Sequence, residues 1–450
     1  MSSSFGSPGD GDRPNEYTSK REDHFGILLH YTITELFGAY SHNFNLAGRE
    51  PTILTGANGT GKSTILRTIS LISRGDWTAL SAIRFEQIRL EFESARLTVG
   101  RKKDGALSLR LDRPSARPKV WQHSPEPESL RREHEEIVTR LLAEDFIRDF
   151  STFEEASGRE RSIRNYLAHT KGANQPGWVE EIPKCFPTLL VSDQRLAPGR
   201  KTRPRKRGAG EVIEVISAIE TAVQHINEEV QHYKLLYGTA SQNLDRDFPR
   251  RVFTAIGSPG PFASPSQIAR DFQQVQHLRA SLAATGLIDA TEVEESIYDL
   301  PLENPDSRSL ISTYLTDTKE KLATFEPLRR RLEPFMAFLR RHYRDKVVGI
   351  DAQHGFRIFS EKTGEEIDPV QLSSGEQQMF ILSHKLLFES SPGTLVMIDE
   401  PELSLHVLWQ STFVDDLTEI SAVSGTYFML ATHSPTLIAG RNDLRRSLDR

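Results

Sequence analysis

The clearest chemistry in the chain lies in the run Gly56-Ala57-Asn58-Gly59-Thr60-Gly61-Lys62-Ser63-Thr64. Its glycines let the backbone turn tightly enough for successive N–H groups to face inward at a helix start, a geometry that cradles the β- and γ-phosphates of a nucleotide. Lys62 supplies a positive charge for those phosphates, and the Ser63 hydroxyl is of the kind that ligates Mg2+. The candidate nucleotide-binding set from this run is therefore Gly56, Asn58, Gly59, Gly61, Lys62, Ser63 and Thr64, with Thr64 more a packing or capping residue than a metal ligand. The alternative is a glycine-rich turn with a chance lysine. Against it stand the apolar strand Thr52 to Leu54 before the run and a helix expected from about Ser63.

A second group sits far along the chain. The apolar run Leu395 to Ile398 ends in Asp399-Glu400-Pro401. A buried strand that delivers Asp399 at its carboxyl end presents a Mg2+-directed carboxylate, and Glu400 can polarise a water for in-line attack on phosphorus. These carboxylates can also be read as a strand end or the cap of a following helix. Upstream, Leu372-Ser373-Ser374-Gly375-Glu376-Gln377-Gln378 precedes an expected helix over 373–389. Ser373 with Glu376 has the spacing of a capping box, and a hydroxyl-rich helix start is also an anion site.

Taken together these segments resemble the ABC ATPase family, whose signature is written LSGGQ, and more particularly its RecF/Rad50/SMC-like branch. The match departs from the signature at Ser374 and Glu376. The resemblance narrows through Leu36-Phe37-Gly38, Asp193-Gln194-Arg195-Leu196 and Asp399-Glu400-Pro401-Glu402-Leu403-Ser404-Leu405-His406, which look like the stand-alone ATPases of the old-nuclease group. It covers residues 26 to 100 and 365 to 440 well and the middle poorly.

The resemblance implies ATP and Mg2+ as ligands and a homodimer in which Ser373, Ser374 and Gly375 of one head contact the γ-phosphate held by the other. It makes Glu400 and Lys62 catalytic with His433, in Ala431-Thr432-His433-Ser434-Pro435, as the phosphate-sensing histidine. Ser404-Leu405-His406 would run along the dimer seam. Gln87 is the glutamine available for a metal-contacting glutamine loop, although Arg84 to Leu90 reads as strand. Many relatives of this kind, such as those of Septu, PARIS and retron systems, are anti-phage components paired with an HNH or TOPRIM nuclease or another effector. A RecF-like ATPase acting on DNA in repair is the alternative. The long segment between Lys62 and Leu372 argues against a transporter subunit, and the intact Lys62, Ser63, Asp399 and Glu400 argue against an inert scaffold.

The elements that must position these residues make an α/β P-loop head assembled from N- and C-terminal segments, with a largely helical insertion. The expected divisions are a disordered lead-in over 1–25, the first part of the head over 26–112, the insertion over 113–345 and the second part of the head over 346–450. Within the insertion, 186–191 reads as a strand returning to the head sheet. Helices are expected over 129–150, 154–169, 211–236 and 267–284, with the longest over 310–343, kinked or split by Pro327 and Pro334. Asp76 to Ala82 and Pro114 to Pro127 read as connections, and 403–420 as one helix. The head is expected to close near Gly440, leaving no room for a C-terminal TOPRIM domain.

Composition agrees with this organisation. The 450 residues are 37% hydrophobic and 26% charged, with a formal net charge of -6. The apolar runs are strand-sized and too short to span a bilayer, and no signal pattern opens the chain, so a cytoplasmic protein is expected. The single cysteine, Cys185, excludes an intramolecular disulfide framework and a multi-thiolate zinc site. Arg200, Lys201, Arg203, Arg205, Lys206 and Arg207, close behind Arg195, read as a flexible basic loop for a phosphate backbone or an acidic protein. A second basic run, Arg329, Arg330, Arg331, Arg340, Arg341 and Arg344, reads as a nucleic-acid stripe or as a solvated charged face.

Overall fold

A computed structural model describes residues 24–114, 116–124, 175–191, 199–203, 212–257, 263–289, 302–351, 354–403, 405 and 407–449. The expected helices over 129–150 and 154–169, nearly all of the lead-in, and Ser192 to Pro198 lie outside them. The described chain forms an α/β P-loop head whose strands come from both ends, with a large helical insertion between them. No helix among the described residues is long and apolar enough to cross a membrane.

Two sheets build the head. The first is antiparallel, in the order β2-β1-β4-β5-β6-β7, from Leu28–Leu36 (β1), Tyr40–Asn45 (β2), Gln87–Phe92 (β4), Arg96–Arg101 (β5), Leu107–Asp112 (β6) and Lys119–His123 (β7). The second is parallel, in the order β15-β3-β14-β13-β8, from Thr52–Thr55 (β3), Thr188–Val191 (β8), Leu395–Asp399 (β13), Tyr427–Ala431 (β14) and Arg445–Ser447 (β15).

Both faces of the parallel sheet are covered, which is why β13 and β14 read as unbroken apolar runs. Successive side chains alternate across the sheet. Leu395, Met397, Tyr427 and Met429 join one buried cluster with Ile65, Leu66 and Ile69 of helix α1 (Lys62–Arg74) and with Leu28, Tyr31 and Ile33 of the antiparallel sheet. Val396, Ile398, Phe428 and Leu430 join a second cluster, built with the helical insertion. Helix α1 thus lies between the sheets, and Tyr31 shares a buried 2.8 Å hydrogen bond with Thr68.

Several elements depart from the sequence reading. Trp77–Ala82 is a helix (α2), capped by Asp76, whose carboxylate accepts the Ala79 N–H at 2.9 Å. The stretch over 114–127 contains β7. The segment read as helix from Glu211 opens as a strand, Val212–Ile216 (β10), paired antiparallel with Gly199–Arg203 (β9). That hairpin also means Arg200, Lys201 and Arg203 lie on a strand and not in a loop. The longest helix among the described residues is α3, Ala218–Gly257, which carries Pro249 inside it and outruns the 310–343 candidate.

After α4 (Pro265–Ala284), that candidate appears as two helices, α5 (Pro305–Ala323) and α6 (Glu326–His342), split at Thr324-Phe325. A hairpin follows from Lys346–Asp351 (β11) and Gly355–Ser360 (β12), then helix α7 (Ser374–Phe388). The helix expected over 403–420 is broken into short turns before α8 (Phe413–Ser424). The head does not close at Gly440, because β15 adds a further strand beside β3.

Candidate functional site

Parallel pairing brings three strand ends to one edge. Leu54 is in register with Ala431, and Ala431 with Asp399. The phosphate loop leaves β3, the His433 segment leaves β14, and Asp399-Glu400 ends β13, so three chemically loaded segments open onto the same crevice at the carboxyl ends of the strands.

The loop geometry follows from its glycines. Gly59 and Gly61 take φ of 84° and 95°, a region that side-chain-bearing residues rarely enter. Gly61 caps α1, and a Cβ there would lie 2.5 Å from Leu36 Cδ2. Lys62 folds back over the loop and donates to the carbonyls of Gly56 at 2.9 Å and Ala57 at 3.1 Å. Burial holds its ammonium below the ordinary lysine value, against the opposite pull of Glu400, Asp399, Asp449 and Glu402. Ser63 is exposed at the crevice, and its hydroxyl donates to Asp399 Oδ1 at 3.0 Å across 336 residues of chain. Asn58 and Gly59 are also exposed, and Thr64 is half-buried on α1.

Glu400 sits at φ 45°, a left-handed backbone in a residue with a Cβ, which costs on the order of 1–3 kcal/mol. Its N–H is held by Ala431 O at 2.9 Å, and its carbonyl accepts the Leu403 N–H at 3.1 Å. This left-handed residue ends β13 and turns the chain into the Pro401–Leu403 turn. His433 is exposed at the end of β14, and its N–H is taken by Glu402 Oε1 at 2.7 Å.

The donors fit a hard divalent cation. A hydroxyl and a carboxylate oxygen converge, Ser63 Oγ and Asp399 Oδ1, and Mg2+ is held by one or two such groups together with substrate phosphates. Among the described residues no group of three or more His, Cys, Asp or Glu side chains is arranged to hold a metal alone.

Residues 52–439 match the family described as "AAA domain, putative AbiEii toxin, Type IV TA system". The chain belongs to this AAA-domain family. No curated protein matches it. Among solved structures, the Smc head domain with an extended coiled coil bound to the C-terminal domain of ScpA, from Pyrococcus furiosus, is similar at 14% identity and TM-score 0.35. It covers 92% of this chain and 91% of that one. The SMC head domain from Thermotoga maritima is similar at 11% identity and TM-score 0.32, over 92% of this chain and 91% of that one.

The remaining candidates of this AAA-family chain lie elsewhere. Ser373 and Ser374 are exposed at the start of α7, where Ser373 and Glu376 form a reciprocal capping box. Glu376 is also paired with Lys346 at 2.6 Å, so it locks the helix start to β11. Gly375 faces Trp409, where a Cβ would stand 3.2 Å from the indole. None of the described hydrogen bonds or ion pairs joins this segment to the phosphate loop. Gln87 opens β4 in the antiparallel sheet, and its side-chain oxygen accepts from Arg89 Nη2 at 3.2 Å.

Ser404, His406, Arg205, Lys206 and Arg207 lie outside the described residues. In the second basic run, Arg329 pairs with Glu326 and Glu333, Arg330 with Glu326, Arg331 with Glu229, and Arg341 with Asp416 and Glu419. That run is largely an ion-pair network, not a bare positive stripe.

Three site residues escaped the sequence reading. Asp449 Oδ1 accepts the Ala57 N–H at 2.8 Å, His42 Nε2 donates to Thr60 O at 2.8 Å, and Glu402 holds His433. Asp449 and His42 carry no local signal, since only the fold brings them to the loop. Glu402 stood beside Asp399-Glu400 and could have been suspected from its neighbours.

Proposed function

We propose that this chain is a Mg2+-dependent ATP hydrolase that closes as a homodimer on ATP and thereby regulates a partner effector, in anti-phage defence or the toxin–antitoxin setting that the family description carries. The observation that carries the reading is the 3.0 Å contact of Ser63 Oγ with Asp399 Oδ1, beside Lys62 at the same crevice. Chain segments that distant converge on one small oxygen set because the site is built to hold a triphosphate and its cation.

In this reading the loop N–H groups bind and orient the phosphates, and Lys62 exchanges its two carbonyl partners for phosphate oxygens. Ser63 and Asp399 would hold Mg2+, which would supply charge neutralisation. Glu400 accepts the proton of the attacking water, and His433 contacts the γ-phosphate from the end of β14. Ser373, Ser374 and Gly375 serve the opposite head, in keeping with the exposure of Ser373 and Ser374 at that helix start. The resemblance supports an HNH or TOPRIM nuclease as that effector.

A second reading, a RecF-like ATPase on DNA, is favoured by the β9–β10 hairpin, which carries Arg200, Lys201 and Arg203 on one strand. One experiment serves both. ATP hydrolysis and mass in solution are followed for the wild type and Glu400→Gln, with and without double-stranded DNA. Turnover in the wild type with ATP-trapped dimers in Glu400→Gln supports the dimeric hydrolase, and stimulation by DNA favours the second reading. Failure of the wild type to bind Mg-ATP at all sinks both.

A further inference from the structure

Glu402 lies on the turn Pro401–Leu403, two residues after Glu400. Its carboxylate is held in a way that a surface turn does not require. Oε1 accepts the His433 N–H at 2.7 Å, while Oε2 is buried and has no hydrogen-bond partner among the described residues. A desolvated carboxylate oxygen without a partner is costly to keep, and a neutral amide would meet the same N–H through its own oxygen. What the side chain supplies is an acceptor oxygen for the backbone of the histidine segment.

The turn and that segment are joined by more than this one bond. Gln410 Nε2 donates to the carbonyls of Glu402 at 3.4 Å and Leu405 at 3.1 Å, and its Oε1 accepts from Ser434 Oγ at 2.8 Å. Ser434 N–H in turn donates to Thr432 Oγ1 at 2.9 Å. Glu402, Gln410, Ser434 and the His433 backbone thus form a ring that ties the end of β14 to the turn after β13. The left-handed backbone of Glu400 directs that turn, so the ring relates the position of Glu400 to that of His433.

We infer that Glu402 is a positioning residue for hydrolysis, acting through His433: it fixes the His433 backbone so that the imidazole and the Glu400 carboxylate address the same phosphate. This rests on the hydrolase reading above. A residue that works through another loses its effect once the other is gone, so the two single replacements should not multiply.

The test compares kcat and the Kd for Mg-ATP in the full chain for the wild type, Glu402→Ala, Glu402→Gln, His433→Ala and the Glu402→Ala/His433→Ala double variant. Glu402→Ala is expected to lower kcat about tenfold and leave Kd within about twofold. Glu402→Gln, which retains an acceptor oxygen and serves as the conservative control for folding, stays within about threefold of the wild type. The double variant matches His433→Ala within about twofold. Losses that multiply in the double variant, or a Glu402→Ala defect that falls on Kd instead of kcat, overturn the inference while the hydrolase reading stands. A wild type that neither binds nor hydrolyses Mg-ATP overturns the hydrolase reading and this inference with it.

Discussion

Replacing Gly61 by alanine imposes two costs that the structure lets us separate. The first is backbone: φ 95° places a Cβ in a region where an ordinary residue is disfavoured by about 1–2 kcal/mol. The second is steric. The new Cβ lands 2.5 Å from Leu36 Cδ2, where carbon atoms rest comfortably at about 3.5–4.0 Å. Leu36 is fully buried, so its methyl group moves only by repacking the core, at about 1–3 kcal/mol. Gly61→Ala should therefore cost about 2–5 kcal/mol in all.

Gly59→Ala is the control. Its φ is 84°, yet no heavy atom lies within 4 Å of the added Cβ, so it bears only the first cost. Urea unfolding without nucleotide, followed by circular dichroism, should show Gly61→Ala less stable than Gly59→Ala by about 1–3 kcal/mol. A Leu36→Ala/Gly61→Ala double variant should lose less than the sum of the two singles, because removing Cδ2 removes the clash. Equal destabilisation at the two glycines, or strict additivity of the double variant, would refute this account of the loop.

Two further perturbations test the packing around the head. His384 is buried on α7, with Nε2 2.9 Å from His225 Nδ1 and Nδ1 3.6 Å from Glu389. Desolvation depresses the pKa of both histidines, so the unfolded chain binds more protons at and below about pH 6.5, and stability falls as pH drops through that window. His384→Phe should make the thermal midpoint less sensitive to acidification between pH 7.5 and 5.5; an unchanged pH slope would count against the assignment. In the insertion, Arg251 grips the buried Asp317 through both guanidinium Nη atoms, with Nη2 2.7 Å from Oδ2. Arg251→Ala leaves that carboxylate with Lys321 as its remaining nearby positive charge and should cost about 2–3 kcal/mol, below the fully buried range because Arg251 is partly exposed. Hydrogen exchange over 305–323 should rise with it, and unchanged protection there would contradict the estimate.

The parts of the head that were legible in the sequence are those whose signal is local. Tyr427–Ala431 is buried along its whole length, so its apolar run marked its bounds. The phosphate run combined glycines that the backbone requires with a helix start. The misreadings are equally physical. Val212, Ile213, Val215 and Ile216 are spaced like one face of a helix, yet they are β-branched and pair with β9 as a strand.

Arg445-Arg446-Ser447 carries no apolar alternation at all. It is a strand because its backbone pairs with β3 at the sheet edge, a tertiary cause invisible locally. The helix expected over 403–420 is interrupted instead, by the turn Pro401–Leu403 and by the break at Ser411-Thr412 between Val407–Gln410 and α8, which no composition signal marks. The contacts of Asp449 and His42 with the phosphate loop come from sheet order and not from any pattern around those residues.

That sheet order has a consequence for how the molecule comes into being. β3, which leads into the phosphate loop, lies between β14 and β15, so both of its pairing partners come from residues beyond 426. While the chain is being synthesised, the strand bearing the loop has no parallel neighbour until nearly all of the helical insertion has left the ribosome. Long-range pairing of this kind forms late, because loop closure must precede the contacts that reward it. The carboxylate end of β13, the histidine segment of β14 and the Asp449 contact then arrive within one short stretch of synthesis, after the insertion. A nascent or truncated chain therefore carries the glycine loop without a crevice. Competence to hold nucleotide is acquired only once β14 and β15 have paired with β3, which keeps shorter chains silent.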